Sequence, residues 1–416
     1  MFMKKGYKVL SIVFILALSL SGCGKNKDNN FQTGNVSSDN QSTWNIFNHP
    51  VTRGEGGYYY LANSSSDYVK NMVGKDNNIR TNYNIVMFMQ DDGNSTVVCS
   101  KPDCRHNNND CAACLTLMGE KLGDSSDGTI TGYENSKIYY YNGKIYVIYN
   151  DATKTGYTYL EEMSANGSYR NRLFEIGSVS KGYVLIFKDD SVYISRREGN
   201  TNGFDENTAT IRRRSLDGKE DEIIHSYTDV GATIFALKDY GDKLYFLEES
   251  YSSKKVENGL DVTFKRLGLF AYDYSTHNVE QVIDDNITDY TFDADNNTLY
   301  YYVYNKGLYK KDFNSRENKK IYDKEDGITE IAQVSYIDGK LYMANSLYSA
   351  FMGTPAKEDK LYVLDRDGKE LNDIDVKGIR EIFFGCNGKI FMTGSMDKKY
   401  YIDISGDNVS SKVQYN

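Results

Sequence analysis

One short motif recurs seven times along this chain and constrains the fold more than any other feature of the sequence. Each copy is a polar turn followed by a short strand that contains an aromatic residue. The last aromatic residues of the seven copies are Tyr59, Tyr146, Tyr193, Tyr245, Tyr300, Tyr342 and Phe391. Successive copies lie 87, 47, 52, 55, 42 and 49 residues apart. Five of the six intervals are close to the length of a four-stranded propeller blade.

A second repeated feature gives the same count. Each motif is followed by a hairpin of two apolar runs around an acidic or Gly/Asn turn, a signal for tight antiparallel pairing. The seven hairpins lie near residues 85–98, 156–175, 209–225, 265–283, 306–321, 361–374 and 400–413. No long stretch has a helical period. The sequence therefore predicts an all-β, seven-bladed β-propeller. The long first interval leaves an eighth, degenerate blade as the alternative.

The 37 tyrosines and only three prolines of the chain fit many short strands joined by tight turns. A single blade cannot bury both of its faces, so the blades must stack around an axis with their apolar faces forming the core. We expect most tyrosines to pack between blades or across strands. An aromatic platform for glycans is the alternative.

The N-terminus has the organisation of an export signal. Lys4, Lys5 and Lys8 precede an apolar run at residues 9–20, which is too short to span a bilayer but suits a signal-peptide core. The run ends in Leu20-Ser21-Gly22-Cys23, which resembles a bacterial lipobox. The resemblance implies that residues 1–22 are removed and that the thiol of Cys23 is lipidated. An ordinary secretory signal is the alternative.

Residues 23–43 are rich in Asn, Ser, Asp, Gln and Lys and contain little that could be buried. Such a composition predicts a disordered tether, and about 20 flexible residues reach about 25 Å. The propeller would then occupy residues 44–416. We expect the protein at the cell membrane, held by lipid on the extracytoplasmic face.

Repeats such as Asp242-Lys243-Leu244-Tyr245 and Gly339-Lys340-Leu341-Tyr342 resemble those of uncharacterised lipoprotein propellers of Gram-positive bacteria, which are grouped with TolB-like and YWTD-like domains of unknown function. The segment from Cys99 to His106 also resembles a feature of such surface propellers. The resemblance implies the fold and a surface location. It implies no particular activity.

Sulfur is concentrated in one segment, residues 99–114, which we expect to be a loop inserted after the hairpin of the first blade. The candidate disulfide or metal-binding residues are Cys99, Cys104, His106, Cys111 and Cys114. Two disulfides would staple an exported loop that has little core of its own, and Cys386 is a further possible partner. The same sulfurs and imidazole are also zinc ligands. Redox chemistry at Cys111-x-x-Cys114 is the third alternative.

No catalytic residue is assigned from the sequence. The four histidines lie outside any nucleophile motif, and the chain has no phosphate loop or dinucleotide fingerprint, so zinc is the one candidate cofactor. The formal charge of −9 argues against a nucleic-acid partner. We therefore expect a monomeric binding or scaffold domain for an envelope protein, a glycan or a small molecule. The alternatives are a hydrolase or lyase with carboxylates around the channel, and a metal or redox sensor.

Overall fold

The protein is described here by a computed structural model. The described residues are 51–63, 83–106, 110–116, 137–150, 157–178, 184–198, 206–256, 259–323, 331–345, 360–386, 388–394, 398–405 and 412–415. The predicted signal peptide, Cys23 and the tether lie outside these residues. So does His49. Among the described residues, no helix has the length and apolar character needed to cross a bilayer.

The described chain forms seven antiparallel sheets. Blade one contains β1 (Val51–Gly54), β2 (Gly57–Asn63), β3 (Tyr83–Gln90), β4 (Ser95–Val97) and β5 (Cys114–Thr116). Blade two contains β6 (Lys137–Tyr141), β7 (Lys144–Asn150), β8 (Tyr157–Ser164) and β9 (Arg170–Ser178). Blade three contains β10 (Val184–Lys188), β11 (Ser191–Glu198), β12 (Glu206–Ser215) and β13 (Asp221–Val230). Blade four contains β14 (Thr233–Tyr240), β15 (Lys243–Val256), β16 (Gly259–Asp273) and β17 (Val279–Ile283).

The remaining three sheets complete the ring. Blade five contains β18 (Ile287–Asp293), β19 (Thr298–Val303), β20 (Gly307–Asp312) and β21 (Asn318–Asp323). Blade six contains β22 (Ile331–Ile337), β23 (Lys340–Asn345), β24 (Lys360–Asp365) and β25 (Glu370–Asp375). Blade seven contains β26 (Ile379–Cys386), β27 (Lys389–Gly394), β28 (Lys399–Asp403) and β29 (Val413–Gln414). The predicted seven-bladed, all-β propeller is confirmed, and the described residues contain no eighth sheet.

The ring closes without a shared strand, because each blade is one continuous stretch of chain. The first strand of blade one, β1, contacts the first strand of blade seven, β26. The rings of Tyr58 and Phe391 meet edge to face across this junction, with centroids 5.1 Å apart. The ammonium of Lys399 donates to the carbonyl oxygen of Leu61. Side-chain packing therefore holds the first and last blades together.

Tyrosine fills much of the core between blades, as the sequence predicts. Eight tyrosines are among the largest fully buried side chains: Tyr58, Tyr60, Tyr139, Tyr146, Tyr290, Tyr300, Tyr302 and Tyr342. Between blades four and five, Tyr240 and Phe292 stack in parallel with ring centroids 4.2 Å apart. Such pairs add directional contacts to the burial of apolar area.

The outermost strand of blade one is split in two. The residues of β4 pair with Met87–Met89, whereas those of β5 pair with Tyr83–Ile85 of the same neighbouring strand. Val86 lies between these two segments of β3. Its N–H donates to the carbonyl of Ala113, and its carbonyl accepts the N–H of Val98. The cysteine-rich loop is thus inserted within this strand, a finer position than the expected one after the hairpin.

Candidate metal centre

The split strand brings the two ends of the cysteine-rich loop together, and four of its side chains converge. The sulfur atoms of Cys99, Cys104 and Cys111 and a ring nitrogen of His106 all lie within 4.8 Å of one another. His106 Nδ1 lies 3.3 Å from Cys111 Sγ. A tetrahedral zinc ion with Zn–S bonds of about 2.3 Å places its sulfur ligands about 3.8 Å apart. The cluster fits such an ion after a small contraction.

Two tight turns make this convergence possible although Cys104 and His106 are separated by one residue. The N–H of Cys104 donates to the carbonyl of Lys101, and the N–H of Cys114 donates to that of Cys111. His106 has a left-handed backbone with a φ of 51°, and its ring nitrogen Nδ1 lies beside the sulfur of Cys111. Two ligands separated by one residue would strain a shared tetrahedral site unless the loop folds tightly. The turns in this loop provide that tight folding.

Cys99, Cys104, Cys111 and Cys114 are all free thiols. A disulfide requires two sulfurs about 2.05 Å apart. The two predicted disulfides are therefore not formed among the four described cysteines of this loop. The side chain of Cys386 is not among those that the structure describes. Among the predicted alternatives, the four-atom cluster supports a group that could hold a metal ion, and Cys114 is the candidate outside that group.

The fifth candidate, Cys114, lies beside the cluster rather than within it. It is fully buried as the first residue of β5, and its thiol forms a hydrogen bond with that of Cys111. It does not belong to the group whose ligand atoms are all mutually close. Cys114 is therefore a core thiol next to the site.

The pKa values of two cluster thiols, Cys99 and Cys111, are raised by their surroundings. Burial, with the neighbouring thiol of Cys111, raises the pKa of Cys99 to about 11. The hydrogen bond with Cys114 and burial raise the pKa of Cys111 to about 11. A divalent cation would reverse this situation, because it stabilises the thiolates that the protein alone disfavours.

Backbone donors already point at two of the sulfurs. The N–H of Lys101 is directed at Cys99, and that of Ala113 is directed at Cys111, and each lowers the pKa of its thiol. Hydrogen bonds of this kind orient metal ligands and stabilise their anionic form.

Blade two supports the loop from outside. The guanidinium Nη1 of Arg170 donates to the carbonyls of Ala112 at 3.0 Å and Cys114 at 2.5 Å. The Nε of Arg170 lies 3.0 Å from a carboxylate oxygen of Glu161, and both side chains are at least nine-tenths buried. The sequence analysis missed these residues because they lie about 60 positions from the loop.

The inner strands of the propeller carry buried ion pairs that join neighbouring blades. Lys188 Nζ of β10 lies 3.2 Å from Asp239 of β14, and Lys238 Nζ lies 3.3 Å from Asp289 of β18. Burial raises the pKa of both carboxyl groups, and the lysines oppose that shift. Each of these two acids is therefore engaged by a lysine of an adjacent blade.

The described histidines outside the loop also have structural partners. His225 Nε2 lies 2.5 Å from a carboxylate oxygen of Glu248, which is 5% exposed. His277, in a hairpin turn, lies with its Nδ1 3.2 Å from the hydroxyl of Tyr272. Neither pair lies beside a nucleophile that the contacts reveal.

The described residues form a seven-bladed β-propeller with a Cys₃His cluster in the loop inserted within the outer strand of blade one. No protein-family model and no curated protein sequence matches the chain. Several solved structures are similar to the chain. The β-propeller domain of the Trilobed protease from Pyrococcus furiosus, described as having an open velcro topology, is 12% identical, with 88% of this chain and 96% of that chain covered and a TM-score of 0.46.

Two further solved structures are similar at lower TM-scores. AztD from Citrobacter koseri is 12% identical over 79% of this chain and 86% of its own, with a TM-score of 0.37. BamB from Moraxella catarrhalis is 10% identical over 61% of this chain and 79% of its own, with a TM-score of 0.33. At these identities the likeness concerns the architecture and does not indicate a function.

Proposed function

We propose that this protein is a lipid-anchored lipoprotein of Gram-positive type on the extracytoplasmic face of the membrane, with a seven-bladed propeller that acts as a binding or scaffold domain. Its loop on blade one holds a structural zinc ion. The observation that carries the zinc assignment is the convergence of Cys99, Cys104, His106 and Cys111 to within 4.8 Å. The anchor assignment is supported by the lipobox-like sequence that ends at Cys23.

Zinc is the cation that suits these ligands best. Three sulfurs and one imidazole form one of the common structural zinc sets, in which four protein ligands close the coordination sphere. Magnesium and calcium bind carboxylate and carbonyl oxygens instead, and this cluster offers none as ligands. When bound, zinc would hold together a loop whose two ends join β4 and β5. No open coordination position is needed for that role.

Metal analysis of single-residue variants tests the zinc site. Full-length protein purified in detergent should contain one zinc per chain by native mass spectrometry, and the Cys99→Ser, Cys104→Ser and Cys111→Ser variants should lose it. Cys114→Ser is the matched control, because it removes a buried neighbouring thiol and should keep the metal. A wild-type mass without metal and four protons light would show two disulfides instead, and the zinc proposal would fail.

The anchor has its own test. Wild-type protein should fractionate with membranes and incorporate labelled fatty acid, whereas Cys23→Ala should do neither. Wild-type protein found without lipid in the culture medium would contradict the anchor and favour an ordinary secretory signal.

The binding role rests on architecture, and the partner is an envelope protein, a glycan or a small molecule. The rigid ring offers loops on both faces, and two buried carboxylates of its inner strands, those of Asp239 and Asp289, are paired with lysines. We propose that the propeller works as a monomer and binds no nucleic acid, consistent with its net negative charge. Crosslinking in intact cells with the Cys23→Ala variant as control identifies the partner, and recovery of nucleic acid in its place would contradict the proposal.

A further inference from the structure

The hairpin turn of blade two, residues 164–170, lies against both ends of the cysteine-rich loop. At one end, a Cβ added to Gly167 would lie 2.1 Å from the carbonyl oxygen of Val98 and 2.7 Å from the Cα of Cys99. At the other end is Arg170, which donates to Ala112 and Cys114. Blade one also contacts this turn directly, because the hydroxyl of Tyr59 donates to the carbonyl of Ala165. The loop is therefore supported by a neighbouring blade as well as by its own.

The contacts of Arg170 fix the turn that carries a candidate zinc ligand. Three consecutive carbonyls are engaged there: those of Ala112 and Cys114 by Arg170, and that of Ala113 by the N–H of Val86. The N–H of Ala113 in turn points at the sulfur of Cys111. With its backbone held on both sides, this turn has little freedom to move the Cys111 sulfur away from the cluster.

The loaded site would be anionic, and the arginine that holds its backbone is itself paired with Glu161 at 3.0 Å. Zinc with three thiolates and one neutral imidazole carries a net charge of −1, because three negative ligands surround a dication. The guanidinium of Arg170 bonds the backbone on either side of Ala113, and only 10% of its side chain is exposed.

We propose that Arg170 is a positioning residue of the zinc site: by holding the Cys111–Cys114 turn from blade two, it sets the metal affinity of a loop that belongs to blade one. This inference rests on the proposed zinc site. Removal of a partner that orients metal ligands typically weakens metal binding by about 10- to 100-fold. The same range is expected for Arg170→Met.

The chain offers a matched control in Arg172. Its guanidinium also pairs with Glu161, at 3.3 Å, and it packs over the ring of Tyr159 at 3.9 Å. Arg172→Met therefore removes an arginine from the same carboxylate, two residues away. We expect it to leave zinc affinity within about threefold of wild type, since Arg172 is 40% exposed and an ion pair that reaches solvent contributes little.

The test is a competition titration of metal-free, full-length protein in detergent with a chromophoric zinc chelator, alongside cobalt(II) absorption as a readout of the ligand set. Arg170→Met should weaken zinc binding at least tenfold, and Arg170→Lys, which keeps the charge, should recover part of the loss. Thermal midpoints of the metal-free variants report any general loss of stability, which Arg172→Met would share. If the methionine variants do not fold, Arg170→Lys and Arg172→Lys give the same comparison.

Two results would overturn the inference while leaving the zinc site intact. One is wild-type zinc affinity in Arg170→Met, and the other is an equal loss of affinity in Arg172→Met. If the wild-type protein itself binds no zinc, the proposed site fails and the positioning role fails with it. The wild-type titration therefore separates failure of the site from failure of the inference.

Discussion

The pair formed by Lys238 and Asp289 links blades four and five inside the propeller and is the most deeply buried ion pair described. The exposed fractions of the two side chains are 0% and 2%, and Nζ lies 3.3 Å from Oδ1. The second carboxylate oxygen accepts the N–H of Val334 at 2.9 Å, so Asp289 also reaches blade six. Lys238 further donates to the carbonyl of Tyr290. Both charges are satisfied only while all three blades are in place.

Substitution of Lys238 by methionine should be strongly destabilising. The change keeps much of the side-chain volume but leaves the carboxylate buried with backbone donors alone, a loss of about 3–5 kcal/mol in the free energy of unfolding for a broken buried pair. The double variant Lys238→Met/Asp289→Asn removes both charges and keeps an acceptor for Val334. Its cost should be smaller than that of Lys238→Met, because no uncompensated charge remains.

The loss should depend on pH. Burial raises the pKa of Asp289 above its unfolded value, and Lys238 is the main group that opposes this shift. A carboxyl with a raised folded pKa contributes stability that is complete below the unfolded pKa and is lost as the pH rises through the folded pKa. Without Lys238 the folded pKa rises further. The Lys238→Met variant should therefore lose more stability at pH 7 than at pH 4.

Denaturant unfolding followed by circular dichroism, at pH 7 and pH 4, measures these differences. The proteins compared are wild type, Lys238→Met, Asp289→Asn and the double variant. A cost below about 1 kcal/mol for Lys238→Met, or equal costs at both pH values, would refute the reasoning. So would a double variant whose cost equals the sum of the single costs, since that would mean that the two groups act independently.

Three further changes probe other parts of the ring. Gly167→Ala should lower the stability of the fold more than Gly143→Ala does. Both glycines have φ above 70°, but only Gly167 lacks space for a Cβ, and the difference in unfolding midpoint between the two variants measures the clash. Burial lowers the pKa of Lys137 to about 7, so stability should rise with pH above that value, and the thermal midpoints of Lys137→Met should lack this rise between pH 7 and 9. Phe391→Ala should lower the free energy of unfolding by about 3–5 kcal/mol, because the Phe391 side chain packs on Tyr58 between the first and last blades. A loss below about 1 kcal/mol in denaturant unfolding would contradict closure of the propeller by packing.

The sequence predicts the number of blades because each blade repeats a local signal, a polar turn and an aromatic strand, that does not depend on the rest of the chain. It also predicts the set of candidate ligands, since cysteine and histidine within 16 residues are rare by composition. It does not separate metal from disulfide. That distinction depends on distances between side chains, and these follow from the backbone turns at Cys104, His106 and Cys114.

The supporting residues could not be predicted in the same way. Arg170 meets the loop only because blade two packs against blade one, and the pairing of Lys238 with Asp289 requires the angle between blades four and five. A lysine in an otherwise apolar inner strand, as at the end of residues 184–188, is the one local signal that a buried partner exists. The identity of that partner depends on the register between blades. Sequence spacing carries no information about it.

X-ray absorption at the zinc edge of full-length protein in detergent tests the central claim most directly, because it reports the ligands around the metal. The Cys₃His site formed by Cys99, Cys104, His106 and Cys111 predicts three sulfur ligands at about 2.3 Å and one nitrogen at about 2.0–2.1 Å. Four sulfur ligands would mean that Cys114 replaces His106. A first shell of oxygen and nitrogen, or protein without zinc, would contradict the account.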